Sequence, residues 1–184
     1  MPQRQTRSRV ALLLVAVFVV LSVVGSFLLP EIVSTYWHLR NGDSTAFHGW
    51  SIPVPKGWRA FTRDDFLMVQ KPLRFYDRED AAPGISVEVF RPGKPVDSEV
   101  LRQASIRAIS EKGYVFQEER PIQIGTDRGY CLHFTGGKDQ ENIRTSRISC
   151  YLSAAHLSLN LFGRPSEIQT FYSVVSQIRR QDAH

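Results

Sequence analysis

The chain has 184 residues, of which 42% are hydrophobic, 22% charged and 11% aromatic, with 12 Gly, 10 Pro and two Cys. That composition excludes a disordered tail, a collagen and a disulfide-dense miniprotein, and the length suits one domain with a real core better than two. The net charge is +5, from 23 Lys and Arg against 18 Asp and Glu; three of those cations are Arg4, Arg7 and Arg9, and the other 20 are interleaved with the 18 acids. A nucleic-acid partner, which needs a concentrated basic face, is therefore not expected.

Residues Val10 to Leu29 form an apolar run of twenty without a charge. At about 1.5 Å per residue it makes roughly 30 Å of helix, the thickness of bilayer hydrocarbon. The three arginines lie before it and Glu31 after it, so the positive-inside rule keeps residues 1–9 as a cytoplasmic basic tail. Residues 10–29 are then a transmembrane helix in contact with the lipid bilayer. All that follows lies outside the inner or plasma membrane, a setting that fits a bacterial periplasm. Tyr36, Trp37 and His38 fall within two helical turns of the span, where amphipathic aromatics settle among headgroups. The alternative is a cleaved signal peptide: Val24-Gly25-Ser26 offers small residues, and loss of residues 1–26 would leave a secreted soluble protein. Against it, the apolar run exceeds the ~7–15 residues of a signal core and no Ala-x-Ala follows. Neither Cys lies near the run, which excludes a lipoprotein, and no Asn-x-Ser/Thr occurs.

Residues 30–47 read as a stalk or linker, helical or extended, broken at Asn41-Gly42-Asp43, and the extracytoplasmic domain is expected over 48–184. Trp50 to Trp58 suggests an edge strand, since Pro53 and Pro55 lack ladder donors. Phe66–Gln70 and Ile85–Phe90 have strand composition, with Ile85, Val87 and Val89 alternating onto one face and a loop over 77–84 between them. The period then changes. Asp97 or Ser98 caps a helix whose arc is Val100, Leu101, Ala104, Ala108 and Ile109, and Lys112-Gly113 stops it. Strands are expected at 114–118, 122–124, 129–135, 143–152 and 157–162. A second helix opens at Pro165 or Ser166 and carries Ile168, Phe171, Tyr172, Val175 and Ile178 on one face, with Arg179 and Arg180 complementing its dipole.

Consecutive hairpins imply a mainly antiparallel sheet, and two amphipathic helices can cover it, an α+β fold of the α/β/α sandwich type behind one transmembrane helix. In Ser51-Ile-Pro-Val-Pro-Lys-Gly-Trp58 a short strand runs into Pro-x-Gly-Trp, and Ile85–Phe90 is followed by a helix. With these features, residues 47 to 180 resemble the PsbP-like superfamily, which includes the Mog-type proteins. The resemblance implies an α/β/α sandwich with a central antiparallel sheet and work in binding or assembly, with no shared catalytic constellation and no functional residue to carry over.

The residues themselves point the same way. There is no Gly-x-Ser-x-Gly and no glycine-rich phosphate loop, so an enzyme is not expected and no cofactor is implied. His133, His156, Cys131 and Cys150 fit no closed zinc spacing. The acidic loop Asp77-Arg-Glu-Asp80 lacks EF-hand spacing, and Asp64-Asp65 reads as turn chemistry. Trp50 and Trp58 are candidate binding-edge aromatics, with core packing as the plainer role. Cys131 and Cys150 are the only thiols and straddle the turn 136–141. A hairpin index sum of 281 would set them opposite each other within disulfide range. The apolar pattern favours an even sum instead, since Tyr130, Leu132 and Phe134 form one face and Ile148, Cys150 and Leu152 another. Helices on both faces would lower the cost of the odd register. What remains is an anchored interaction or assembly module with an envelope protein partner; the competing classes are a secreted ligand-binding protein and an enzyme with a dispersed site.

Overall fold

The computed structural model describes residues 3–63, 65–72, 83–89, 98–138, 144–152 and 156–181, with side chains except at 3–13, 137, 138 and 144. The expected loop over 77–84 and the acidic motif within it fall almost wholly outside the described residues, as does Asp64.

Helix α1 spans Gln3–Asn41, 39 residues with Pro30 inside it. A hydrocarbon environment requires each backbone polar group to be paired within the segment, and the helix does this along the apolar run except at the Ser26 carbonyl, whose i+4 donor is missing because that position is Pro30. The helix ends where Gly42 adopts φ +78° and its N–H donates to the His38 carbonyl at 2.8 Å. Of the helical and extended readings of residues 30–47, the helical one describes residues 30–41, and the break falls at Asn41-Gly42-Asp43. Residues 30–41 continue the helix, and Ser44–Phe47 forms strand β1.

β1 pairs with β2 (Trp50–Pro53) through a two-residue turn, His48-Gly49, in which both φ values are positive (47° and 81°), as a tight right-twisted hairpin needs. The last strand, β10 (Arg179–Arg180), pairs with the other side of β2, so the strand expected at an edge lies in the middle of a three-stranded sheet. Pro53 is tolerated there because it is the last paired residue, opposite Ser44, and the next amide, Val54, donates to Asp43 O at 2.9 Å.

The larger sheet has seven antiparallel strands: β3 (Arg59–Arg63), β4 (Phe66–Gln70), β5 (Gly84–Val89), β6 (Tyr114–Ile124), β7 (Asp127–Lys138), β8 (Arg144–Leu152) and β9 (Leu157–Gly163). They lie in the order β3-β4-β5-β9-β8-β7-β6. β3 has no counterpart among the expected strands. β6 is one strand where two were expected; it carries a bulge between Phe116 and Glu118 and accepts Pro121 because it closes the sheet edge.

Helix α2 (Ser98–Ser110) covers one face over β6 to β8, its Ile106 and Ile109 packing on Leu132 and Phe134. It ends as expected, with Gly113 at φ +84°. Its buried arc differs from the expected one: Leu101, Ser105, Ile106 and Ile109 face the sheet, whereas Val100 is 60% exposed and Ala104 and Ala108 point to solvent. Polar contacts set this rotation, with Arg102 paired to Glu119 at 2.5 Å and Ser105 Oγ donating to the Tyr151 hydroxyl at 3.1 Å.

The opposite face is covered by the small sheet and by helix α3 (Ile168–Gln177), entered through a 3-10 turn at Pro165–Glu167. Phe171, Val174, Val175 and Ile178 join Trp50 and Ile52 above Val69, Ile85, Val87, Ile148, Leu159 and Leu161 in the main core. The result is an α+β sandwich with helices on both faces of an antiparallel sheet. Because both faces are buried, the odd register becomes affordable: β7 and β8 pair with Cys131 opposite Cys150, placing Leu132 and Phe134 under α2 and Cys131, Ile148 and Cys150 in the main core. The even sum favoured by the apolar pattern is not the one adopted.

Candidate functional site

Four features carry the polar chemistry. The first is the junction between α1 and the domain. Beyond the apolar run, the helix presents Pro30, Ser34, Trp37 and His38 on one side, and all four are buried or half-buried. Ser34 Oγ donates to Trp58 O at 3.1 Å, and Trp37 Nε1 donates to Ala60 O at 2.9 Å. His38 Nε2 lies 3.1 Å from Pro55 O, and its Nδ1 lies 3.1 Å from both Gly42 O and Asp43 Oδ1. Of the three residues expected among lipid headgroups, Trp37 and His38 are turned into the domain, and Tyr36, 62% exposed, is left facing outward. The spacing i, i+3, i+4 of Ser34, Trp37 and His38 directly after the apolar run was the available signal for this stripe.

The candidate sequence residues form the second feature. Trp50 and Trp58 are 4% and 2% exposed, so both belong to the core, and each also has a cation near its ring, Arg180 at 5.1 Å from Trp50 and Lys71 at 5.7 Å from Trp58. Arg180 also pairs with Asp127 at 3.1 Å, which ties β10 to the larger sheet. Cys131 and Cys150 are joined by a disulfide and are fully buried. His133 and His156 share no ligand set with them, and among the described residues no three His, Cys, Asp or Glu side chains cluster as a metal site would.

Third is a polar patch under α3, which the sequence reading missed. Glu118 on β6 pairs with Arg120 at 2.7 Å and faces His133 Nδ1 at 3.6 Å, and the Arg120 guanidinium lies 5.6 Å from the Tyr172 ring centroid. The Arg120 hydrogen bond holds the Glu118 carboxyl below the usual carboxylate range, while burial pushes the Tyr172 phenol up. His133 Nε2, Thr135 Oγ1, Ser146 Oγ and the Tyr172 hydroxyl are buried without hydrogen-bond partners among the described residues. Glu118, His133 and Ser146 are not joined as an acid–imidazole–hydroxyl relay, since His133 Nε2 and Ser146 Oγ are not hydrogen-bonded to each other, and Ser146 is 0% exposed.

Fourth are two grooves. One, of about 460 Å³, lies between the 53–56 turn and α3, lined by Asp43, Lys56, Gln169, Ser173 and Gln177. The other, of about 370 Å³, opens on the part of the larger sheet that α2 leaves uncovered, with Phe66, Met68, Glu88, Arg147, Asn160 and Phe162 in its lining.

These features define a class: an α/β/α sandwich docked on a helix of membrane-spanning length. Its fold is similar to that of LpqN from Mycobacterium tuberculosis, a protein involved in cell envelope biogenesis, with 16% identity over 75% of this chain and 90% of that one, at a TM-score of 0.51. It is also similar, at a TM-score of 0.44 and 8% identity over 71% of this chain and 88% of that one, to PA94 of Pseudomonas aeruginosa, a protein of unknown function. No family model and no curated protein matches the chain. At these identities the likeness to LpqN is one of fold alone.

Proposed function

We propose that the chain is a single-pass, membrane-anchored module of the cell envelope whose extracytoplasmic domain works by binding and assembly rather than catalysis, with its N-terminus cytoplasmic. The observation that carries this reading is the continuity of α1. One helix is apolar through Leu29 and buries Pro30, Ser34, Trp37 and His38 against the folded domain from the very next residue. Anchor and domain are thereby one built unit, and its bilayer-length segment exposes Phe18, Leu21, Phe27 and Leu29 by half or more. Such an apolar sleeve is tolerated in lipid and costly in water.

LpqN's part in cell envelope biogenesis supports an envelope setting, and the PsbP-like resemblance, which the quoted residues alone support, favours binding over chemistry. The test is the mature N-terminus. Intact mass spectrometry of the chain from washed membranes is expected to retain residues 1–26. A soluble species beginning after Ser26 would overturn the anchored reading in favour of a secreted binding protein. Cross-linking in native membranes then identifies the envelope partner.

A further inference from the structure

Where α2 stops, the face of β4, β5, β9 and β8 beside it stays open as the 370 Å³ groove. Among the described residues its charged lining is Arg147 and Glu88, both half-buried, and neither the guanidinium nor the carboxylate has an ion pair or hydrogen bond there. Half-desolvated charges are costly unless something pairs them. The sheet register fixes their relation. Arg147 stands opposite Phe162 on β9, and Glu88 stands opposite Ser158 on the other side of the same strand. Asn160, midway between Ser158 and Phe162, is therefore the midpoint of the line from Arg147 to Glu88. Two strand spacings and four residue steps separate the ends, about 17 Å between Cα atoms.

A cation and an anion set symmetrically about a midpoint are complementary to a second copy of themselves. We propose that this face is where two copies of the chain meet, about a two-fold axis lying in the contact plane and crossing the Arg147–Glu88 line at Asn160. The rotation sets Arg147 of each copy over the partner's Glu88 and brings Asn160 against its own counterpart, the isologous arrangement of a symmetric dimer. It also carries Phe162, 37% exposed, toward the apolar seat made by Phe66 and Met68 on β4 of the other copy.

Four strands by five residues make a patch of roughly 14 by 17 Å, well under the ~800 Å² per partner of a standard interface, so the contact is weak between free molecules. Anchors in a common bilayer raise the effective concentration that such a contact needs. That concentration rests on the anchored reading above; the self-complementary face does not.

The test uses the full chain carrying Asn160→Cys, reconstituted alone into phosphatidylcholine vesicles and treated with a short bis-maleimide. Cross-linked dimer is expected well above the level given by Gln169→Cys on the exposed side of α3. Adding Arg147→Glu or Glu88→Arg should each reduce it by roughly ten-fold through like-charge opposition, and the two reversals together should restore it. Restoration by the double reversal also excludes simple unfolding as the cause of the single losses. Cross-linking no higher than the Gln169→Cys control, insensitivity to either reversal, or failure of the double reversal to rescue would each overturn the dimer. So would an adduct to a different protein through Asn160→Cys in native membranes with none in the vesicles. Flotation of the vesicles reports the anchor separately: the cross-linking comparison is read on the floated fraction, and a chain that does not float is compared instead in solution at millimolar concentration, where the same three results overturn the dimer.

Discussion

Phe171→Ala removes the central side chain of α3. Phe171 is 0% exposed, its ring meets that of Tyr172 edge to face at 5.6 Å, and it belongs to the main core. Truncation opens a cavity of the order of 80 Å³, about 2 kcal/mol at ~24 cal/mol per Å³, and the lost transfer of the ring adds about 2 kcal/mol, which falls within the usual 3–5 kcal/mol for this change. A domain of this size has a net stability of about 5–15 kcal/mol, so the loss is a large share of it. Urea unfolding of the full chain in detergent, followed by tryptophan fluorescence, is a suitable assay because Trp50 and Trp58 are buried in the same core. The midpoint should fall by about 2 M with the slope unchanged, at a slope of ~2 kcal/mol/M. Gln169→Ala, on the exposed side of the same helix, should move it by less than about 0.3 M. Equal shifts for the two variants would refute the assignment of the buried face and, with it, the position of α3 on the sheet.

Four further outcomes are expected. Alkylation of the denatured, unreduced chain should leave Cys131 and Cys150 unlabelled until reductant is added; closing a 19-residue separation is worth about 3 kcal/mol, which reduced samples should lose in urea melts. Burial pushes the Tyr130 phenol up to about 12, with Tyr151 adding to the shift, so Tyr130 should ionise late in a spectrophotometric titration. The unfolded chain ionises near 10 while the folded one holds its proton, so Tyr130 makes stability fall between pH 10 and about 12 and leaves it unaffected below. Trp37→Phe removes the donor to Ala60 O at the anchor junction and should cost about 1 kcal/mol, read as a lower urea midpoint. Replacing Arg4, Arg7 and Arg9 with Glu should scramble orientation, measured as the fraction of chains whose C-terminus is shielded from external protease.

The elements most legible in the sequence were those with one dry face and a clear period. β5 shows the expected alternation, with Ile85 and Val87 at 0% exposure, and the expected face of the last helix buries Phe171 and Val175 within α3 and Ile178 just past its end, with Val174 buried beside them. β3 escaped notice because it is an edge strand with the sequence Arg-Ala-Phe-Thr-Arg, which never presents an apolar row. Arg179 and Arg180 looked like helix-end charges. Arg179 does lie 3.5 Å from the Ser176 carbonyl, but the pair also forms β10, a tertiary pairing that two residues cannot announce. The rotation of α2 follows Arg102 and Ser105, polar residues that a hydrophobic arc leaves out. For the candidate site, Trp50 and Trp58 drew notice by residue type and proved to be core. Arg147 and Glu88 sit singly within apolar strands, and only the register shows that they straddle Asn160.

The central claim is a domain built onto a membrane anchor with its N-terminus inside. External protease added to intact spheroplasts, followed by mass analysis of what the membrane retains, tests it most directly. The account expects a protected fragment that begins before Val10 and ends near Asn41, where α1 stops, with the domain beyond it digested once the fold is loosened by reductant and urea. A chain fully protected through its C-terminus, or a membrane fraction with no fragment containing residues 10–29, would contradict it.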